Sequence, residues 1–272
     1  MKEFQNILTL SVPEDVVTKQ EGREYPAFKK YHYYSRTAER ETPINVLLPP
    51  NYSESKKYPV LYILHGYFDN EDWMTRDVVK IDTMLPNLYA EGEAEEMIVV
   101  VPYIYCNKDM PACTGMNLQN SLNYDNFIND FVTDVIPFIN SHFSVSEKRE
   151  DTALTGFSMG GRESLFIGFK HPEIFGSLGA VDPAPGLVPV PESPAHPGQM
   201  QRSELVFGEF KPKVLLLCAA ADYSETDDSP FNYRAMLTKN GVEHLWLHMN
   251  GLRHDHTIVM PHLYNFFRML FK

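Results

Sequence analysis

Six stretches of the chain are apolar for most of their length and rich in β-branched and aliphatic residues. They are YPVLYILHG (58–66), EMIVVVPY (96–103), DTALTGFS (151–158), GSLGAVDP (176–183), KVLLLCAAAD (213–222) and EHLWLHMNG (243–251). Runs of this length and content predict strands. Their near-continuous apolar character predicts a parallel sheet covered on both faces, since a half-exposed strand alternates instead. Between them the period changes. Residues 123–143 place Phe127, Ile128, Phe131, Val135, Ile136 and Ile139 at helical spacing. Further helices are predicted over 160–172, ending before Pro172, over 229–241, ending at the C-cap Gly241, and over 257–271. Strand and helix alternate, which predicts an α/β class with a mostly parallel sheet and helices on both faces.

The first 50 or so residues break this rhythm. KKYHYYSRTAERETPINVLLPP reads as two strands around a charged turn, an antiparallel N-terminal edge. The stretch 182–199, DPAPGLVPVPESPAHPGQ, is too rich in proline for a regular element. Lying between two core strands, it is expected to be a loop over one end of the sheet, with 183–200 a candidate lid. No repeat, low-complexity tract or linker interrupts the chain, so 1–272 is expected to be one domain.

The 272 residues are 43% hydrophobic, enough for one sizeable core, and carry a formal net charge of −12. An acidic surface repels phosphate backbones, which argues against nucleic acid as a partner. No apolar run approaches the ~20 residues of a membrane span. The opening MKEFQNILTLSVPEDVV holds too short an apolar stretch for a signal peptide. The expectation is therefore either a cytosolic protein or an exported one whose signal has been removed. Cys106, Cys113 and Cys218 do not make a disulfide framework, although Cys106 and Cys113 share a loop and could bridge in an oxidising compartment. Cys218 reads as a small core residue.

Chemistry enters at TALTGFSMGGRES, residues 152–164. Gly156-Phe157-Ser158-Met159-Gly160 follows a predicted strand and opens a predicted helix, the setting of a nucleophile elbow. The serine would sit on a strained turn, with glycines where a side chain would strike the neighbouring strand or helix. The helix N-terminus would face the developing negative charge. A serine hydroxyl needs a base, and the base an orienting carboxylate. Asp222 ends a predicted strand and fits the acid, whereas Asp227 and Asp228 fit a solvated loop and helix start. His254, just after Asn250-Gly251, fits the base better than His256. His-Asp-His spacing without a third ligand cluster is a poor metal site. The oxyanion donors would be the amide of Met159 and one from the loop after His65-Gly66, at Tyr67 or Phe68. His65, His244 and His248 read as structural. Tyr67, Phe68, Trp73, Tyr103, Tyr105, Met116 and Tyr124 lie in segments expected at the strands' C-terminal ends. Among them Phe68, Trp73 and Tyr105 are the candidates for contact with substrate.

LPPNYSESKKYPVLYILHGYFDNEDW, NLYAEGEAEEMIVVVPY, FVTDVIPFINSHFSV, TGFSMGGRESLFIGFKHPEIFGSLGA and GLRHDHTIVMPHLYNFF together resemble the esterase D-like α/β-hydrolases over residues 30 to 270. The nearest likeness is to feruloyl esterases and acetyl xylan esterases of carbohydrate esterase family 1. The resemblance implies an α/β-hydrolase fold, Ser158, Asp222 and His254 as a triad, and the Tyr67 and Met159 amides as the oxyanion hole. It also implies a secreted enzyme of xylan degradation that needs no cofactor. Its partner would be a small-molecule or polysaccharide ester such as feruloylated arabinoxylan, with no nucleic acid or membrane. Two departures stand out: Tyr67-Phe68 where relatives often carry small residues, and Gly-Leu-Arg-His in place of Gly-Gly-His.

Four functions compete at this point. A hydroxycinnamoyl esterase fits the aromatic loops best. An acetyl xylan esterase is the nearest alternative. An S-formylglutathione hydrolase-like or siderophore esterase would be cytosolic, and the acidic surface argues mildly against anionic glutathione conjugates. A silent binding module would be expected to have lost a member of the triad, and all three are present.

Overall fold

The computed structural model describes residues 1–189, 196–220 and 228–272. Eight strands form a single sheet among these residues: β1 (Lys29–Ser35), β2 (Arg40–Leu47), β3 (Val60–Leu64), β4 (Ile98–Pro102), β5 (Thr152–Gly156), β6 (Ser177–Val181), β7 (Val214–Ala220) and β8 (Leu245–Met249). Their order is β1-β2-β4-β3-β5-β6-β7-β8. β1 pairs antiparallel with β2, and β2 with β4, while every pairing from β4 to β8 is parallel. The predicted N-terminal edge and parallel core are both present. β3 through β7 are buried at every position, as their unbroken apolar runs require.

Among the described residues, eight α-helical segments accompany the strands: α1 (Glu14–Val17), α2 (Ile81–Ala90), α3 (Leu118–Asp125), α4 (Phe127–Asp130), α5 (Ile136–His142), α6 (Met159–Lys170), α7 (Ser229–Lys239) and α8 (His256–Phe267). α2 and α8 pack on one face of the sheet through Met84, Leu85, Leu88, Ile258, Leu263 and Phe266. The other face is covered by α4 to α7 through Phe127, Phe131, Ile139, Leu165, Phe169, Tyr233 and Leu237. The helix expected over 123–143 is interrupted, because a π-helical turn at Phe131–Val135 joins α4 to α5. The extra residue in that turn keeps Phe127, Phe131, Val135 and Ile139 all fully buried.

The sheet order decides where a ligand can enter. From β3 the chain crosses to β4 on one side, then returns to β5 and continues to β8 on the other. That reversal opens a crevice at the C-terminal ends of β3 and β5, the switch point where open α/β sheets bind ligands. His65-Gly66 follows β3 there, and Phe157-Ser158 follows β5. The described parts of the proline-rich loop contain no regular element, as expected. They are packed down into the core, with Leu187, Val188 and Met200 buried. The lid expectation falls in part on 190–195, outside the described residues.

Candidate active site

Ser158 occupies the turn between β5 and α6 at φ 55°, ψ −115°, a conformation costly for a residue with a Cβ. Hydrogen bonds hold it there: Ser158 N–H donates to Val181 O at 3.0 Å, and Ala184 N–H donates to Ser158 O at 2.9 Å. The flanking glycines are obligatory. A Cβ on Gly156 would lie 2.3 Å from Gly160 O, and one on Gly160 would lie 2.3 Å from Leu64 O. The end of β3, the turn after β5 and the first turn of α6 thus meet backbone against backbone.

The loop after β8 brings in His254. Its Nε2 lies 2.9 Å from Ser158 Oγ. Its Nδ1 lies 2.6 Å from Oδ2 of Asp182, a carboxylate that sequence reasoning did not single out. His256 is instead the first residue of α8, which Asp255 caps by accepting from Thr257 N–H at 2.8 Å. Asp222 and Asp227 lie outside the described residues, and Asp228 stands at the start of α7. Asp182 ends β6 in the way Asp222 ends the apolar run of β7. A strand-terminal aspartate was the available signal, hidden by the prolines that follow it.

The loop after β3 is fixed by His65. Ile104 N–H donates to its Nε2 at 3.0 Å, so the ring proton resides on Nδ1, which donates to Gly66 O at 2.9 Å. Full burial pushes this imidazole down to about 4, keeping it neutral. Phe68 N–H donates to the Tyr124 hydroxyl at 3.1 Å. Of the two oxyanion candidates on this loop, Phe68 therefore has its amide engaged and Tyr67 is the one left for the role. Farther along, the loop is moored to the sheet edge. Lys30 on β1 pairs with Glu71 at 2.7 Å and Asp72 at 2.6 Å, and Asn45 on β2 donates to Asp72 at 2.8 Å. Removing the Tyr124 hydroxyl strips Phe68 of its acceptor at a partly buried position. Tyr124→Phe is expected to lower kcat about three- to tenfold with KM little changed, measured by steady-state ester hydrolysis.

A cleft of about 230 Å³ opens in front of Ser158 and His254, lined by Tyr67, Phe68, Asp69, Trp73, Met116, Phe157 and Asp255. Trp73 stacks on Phe157 at 5.2 Å, and Phe157 lies 4.5 Å from the His254 ring. Phe68 and Trp73 therefore both line the cleft. Tyr105 does not: it is 1% exposed, its ring packs on Tyr124 and its hydroxyl bonds Asn120 and Asn123. Its aromatic body fills the core behind the cleft wall, so it is not positioned to touch substrate. A larger cavity of about 350 Å³, lined by Arg149, Asp151, Ser177 and Lys213, lies at the opposite ends of the strands. Cys106, Cys113 and Cys218 are all free thiols. Cys106 Sγ faces Ser35 Oγ at 3.8 Å and Cys113 Sγ faces Gly115 O at 3.7 Å, so the bridge considered from the sequence is not formed.

Burial raises the Asp69 carboxyl to about 6, opposed by the nearby positive charge of Arg76 and of a protonated His254. The unfolded chain loses this proton near pH 4. Between pH 4 and 6 the folded state therefore binds more protons, and stability falls as pH rises through that window. Allowing for partial exposure, the cost above pH 6 is on the order of 1 kcal/mol. Asp69→Asn is expected to melt about 2–4 °C above the unsubstituted protein at pH 8 and level with it at pH 4, as read by thermal denaturation at both values.

One buried network lies beside the turn. Arg162, 1% exposed, pairs with Glu163 at 2.9 Å and Asp125 at 2.5 Å. Gln199 donates to both carboxylates and His196 lies 2.6 Å from Asp125. Sequence reasoning read Arg162-Glu163 only as the start of a helix. Together these residues fasten the chain after β6 onto α3 and α6. Among the described residues no group of three or more His, Cys, Asp or Glu side chains is placed to hold a metal ion, and no helix is long and apolar enough to cross a membrane.

A serine on a strained strand-to-helix turn at the switch point of a mostly parallel sheet, its hydroxyl against an imidazole, is the arrangement of the α/β-hydrolases. Comparison with known proteins narrows the class. The Esterase family model, described as "Putative esterase", matches residues 35–225. The CE1 ferulic acid esterase of Anaeromyces mucronatus, solved in complex with ferulic acid, superposes with a TM-score of 0.91 at 40% identity over 97% of each chain. The chain belongs to this esterase family, with the CE1 ferulic acid esterases among its relatives. A Xylanibacter ruminicola protein named endo-1,4-beta-xylanase/feruloyl esterase is 29% identical over 153 residues, 54% of this chain and 20% of that protein. The chain thus spans about a fifth of that curated relative's length. An S-formylglutathione hydrolase from Staphylococcus aureus shares the fold, with a TM-score of 0.66 at 18% identity over 90% of this chain and 98% of its own.

Proposed function

We propose that this protein is a secreted serine esterase that hydrolyses feruloyl and related hydroxycinnamoyl esters on plant cell-wall xylan through an acyl-enzyme. The observation that carries the reading is the Ser158–His254 pair at 2.9 Å, opening into an aromatic cleft. Support for the acyl group comes from the ferulic acid-bound relative at 40% identity. A cleft of about 230 Å³ holds one substituted ring but leaves a polysaccharide outside, at the mouth framed by exposed Phe68 and Met116.

In this mechanism His254 Nε2 takes the Ser158 proton as Oγ attacks the ester carbonyl. The Tyr67 and Met159 amides hold the tetrahedral oxyanion, the second of them at the N-terminus of α6. His254 then protonates the departing sugar hydroxyl, and water repeats the sequence to release the acid. Asp222, at the end of the apolar run of β7, is the acid assigned by chain order, and it stabilises the imidazolium that forms. None of these steps calls on a metal or organic cofactor. The formal charge of −12 suits a neutral ester better than an anionic thioester.

The test is a panel of methyl ferulate, acetylated xylan, p-nitrophenyl acetate and S-formylglutathione, compared by kcat/KM. Methyl ferulate is expected to lead. A lead of orders of magnitude for acetylated xylan or S-formylglutathione would overturn the substrate assignment.

A further inference from the structure

We infer that Asp182, at the end of β6, is a positioning residue for His254 and holds its ring in the tautomer that can accept the Ser158 proton. The inference rests on reading Ser158 and His254 as the catalytic pair. Asp182 Oδ2 lies 2.6 Å from His254 Nδ1, and Oδ1 accepts from Ala220 N–H at 3.1 Å. The carboxylate is 1% exposed, so both oxygens have partners and neither is left to water. An ionised carboxylate can only accept hydrogen bonds, so the proton between Asp182 and the ring belongs to Nδ1. That leaves the Nε2 lone pair facing Ser158 Oγ at 2.9 Å.

The backbone around Asp182 is built into the same turn as the serine. Val181 O, one residue before it, accepts from Ser158 N–H, and Ala184 N–H, two residues after it, donates to Ser158 O. Asp182 N–H itself donates to Cys218 O at 2.9 Å, and the residue sits at φ 48°. A left-handed aspartate inside a buried turn is strained, and the hydrogen bonds on either side hold it there. The distance from this carboxylate to the serine is therefore set by main-chain hydrogen bonds between β5, β6 and β7 rather than by a flexible loop. Among the described residues, other charges near the ring include Asp69 across the cleft, with Arg253 and Asp255 on either side of it in sequence. The inference requires only that Asp182 holds Nδ1.

Asp182→Asn tests this in the full chain. Asn Oδ1 can still accept from Ala220 N–H, but its amide donates toward His254, favouring a proton on Nε2 where it blocks proton transfer from Ser158. The expected result is a fall in kcat for methyl ferulate of about 10²–10⁴ with KM within about threefold. The 15N-histidine NMR spectrum should at the same time show His254 passing from the Nδ1–H to the Nε2–H tautomer. A kcat within threefold of the unsubstituted enzyme, or a loss of kcat with the tautomer unchanged, overturns the inference. Should Asp182→Asn fail to fold, Asp222→Asn provides the second reading. Retention of the Nδ1–H tautomer there supports Asp182 as its holder, and complete conversion to Nε2–H overturns it. Full activity in Ser158→Ala would instead sink the catalytic reading itself, a result separable from either tautomer outcome.

Discussion

Ser158→Ala is expected to lower kcat/KM for methyl ferulate by about 10⁴–10⁶ while leaving the fold and the affinity for free ferulate nearly unchanged. The substitution removes one oxygen and nothing else. Alanine accepts the same strained φ of 55° as serine, because both carry a Cβ, and the main-chain bonds to Val181 and Ala184 do not involve the side chain. His254 loses only its contact at Nε2. Activity, melting temperature and ferulate binding should be measured together. A large loss of activity with binding intact assigns Ser158 to the chemistry, whereas retained activity would move the nucleophile elsewhere.

Gly160→Ala is expected to damage both stability and rate. Alanine is the better helix former by about 1 kcal/mol, which alone would make the change favourable within α6. The new Cβ, however, would lie 2.3 Å from Leu64 O and 2.5 Å from His65 O. Both are main-chain atoms. Leu64 is fixed by pairing with Gly156, and His65 by the Ile104 N–H. Relief requires α6 to lift away from the end of β3, which separates the Met159 amide from the Gly66-Tyr67 loop. Overlap of this kind costs about 3–5 kcal/mol and outweighs the propensity gain, giving a melting temperature lower by about 8–15 °C. At a temperature where the variant is folded, kcat should still fall about 10²-fold, as for loss of one oxyanion donor. Gly115→Ala is the control: its Cβ would meet only an Asn117 side-chain atom at 3.7 Å, and both readouts should stay unchanged. Equal behaviour of the two variants would refute the close-approach explanation.

The strands were legible because β3 to β7 are buried on both faces, which leaves unbroken apolar runs in the sequence. α2 was not anticipated: its inward Ile81, Met84, Leu85 and Leu88 do keep helical spacing, but Pro86 stands inside it and reads as a helix breaker. Ser158 and His254 could be found because their neighbours, two obligatory glycines and a turn after the last strand, are themselves written in the sequence. Asp182 could not, since VDPAPG reads as the start of a loop and only the fold shows that its carboxylate turns back toward His254. Tyr105 failed for the opposite reason: adjacency to a surface loop says nothing of which way a ring points. Arg162 and Glu163 read only as the start of a helix, yet α6 enters the interior so deeply that both are buried, with Arg162 paired to Glu163 and Asp125.

The contact of main chain against main chain where β3, β5 and α6 meet divides this site into two unequal evolutionary territories. The turn that carries Ser158 is set by atoms every residue possesses, so side-chain change can break it but has little scope to adjust it. The cleft wall is different. Tyr67, Phe68 and Trp73 hang from the loop after β3, moored by Lys30, Asn45 and the Tyr124 hydroxyl, and Met116 from a second loop after β4; none of the three moorings lines the cleft. Drift in those loops can exchange one acyl group for another while the hydrolytic step stays as it was. A lineage with this architecture can diversify its substrates without inventing its chemistry again.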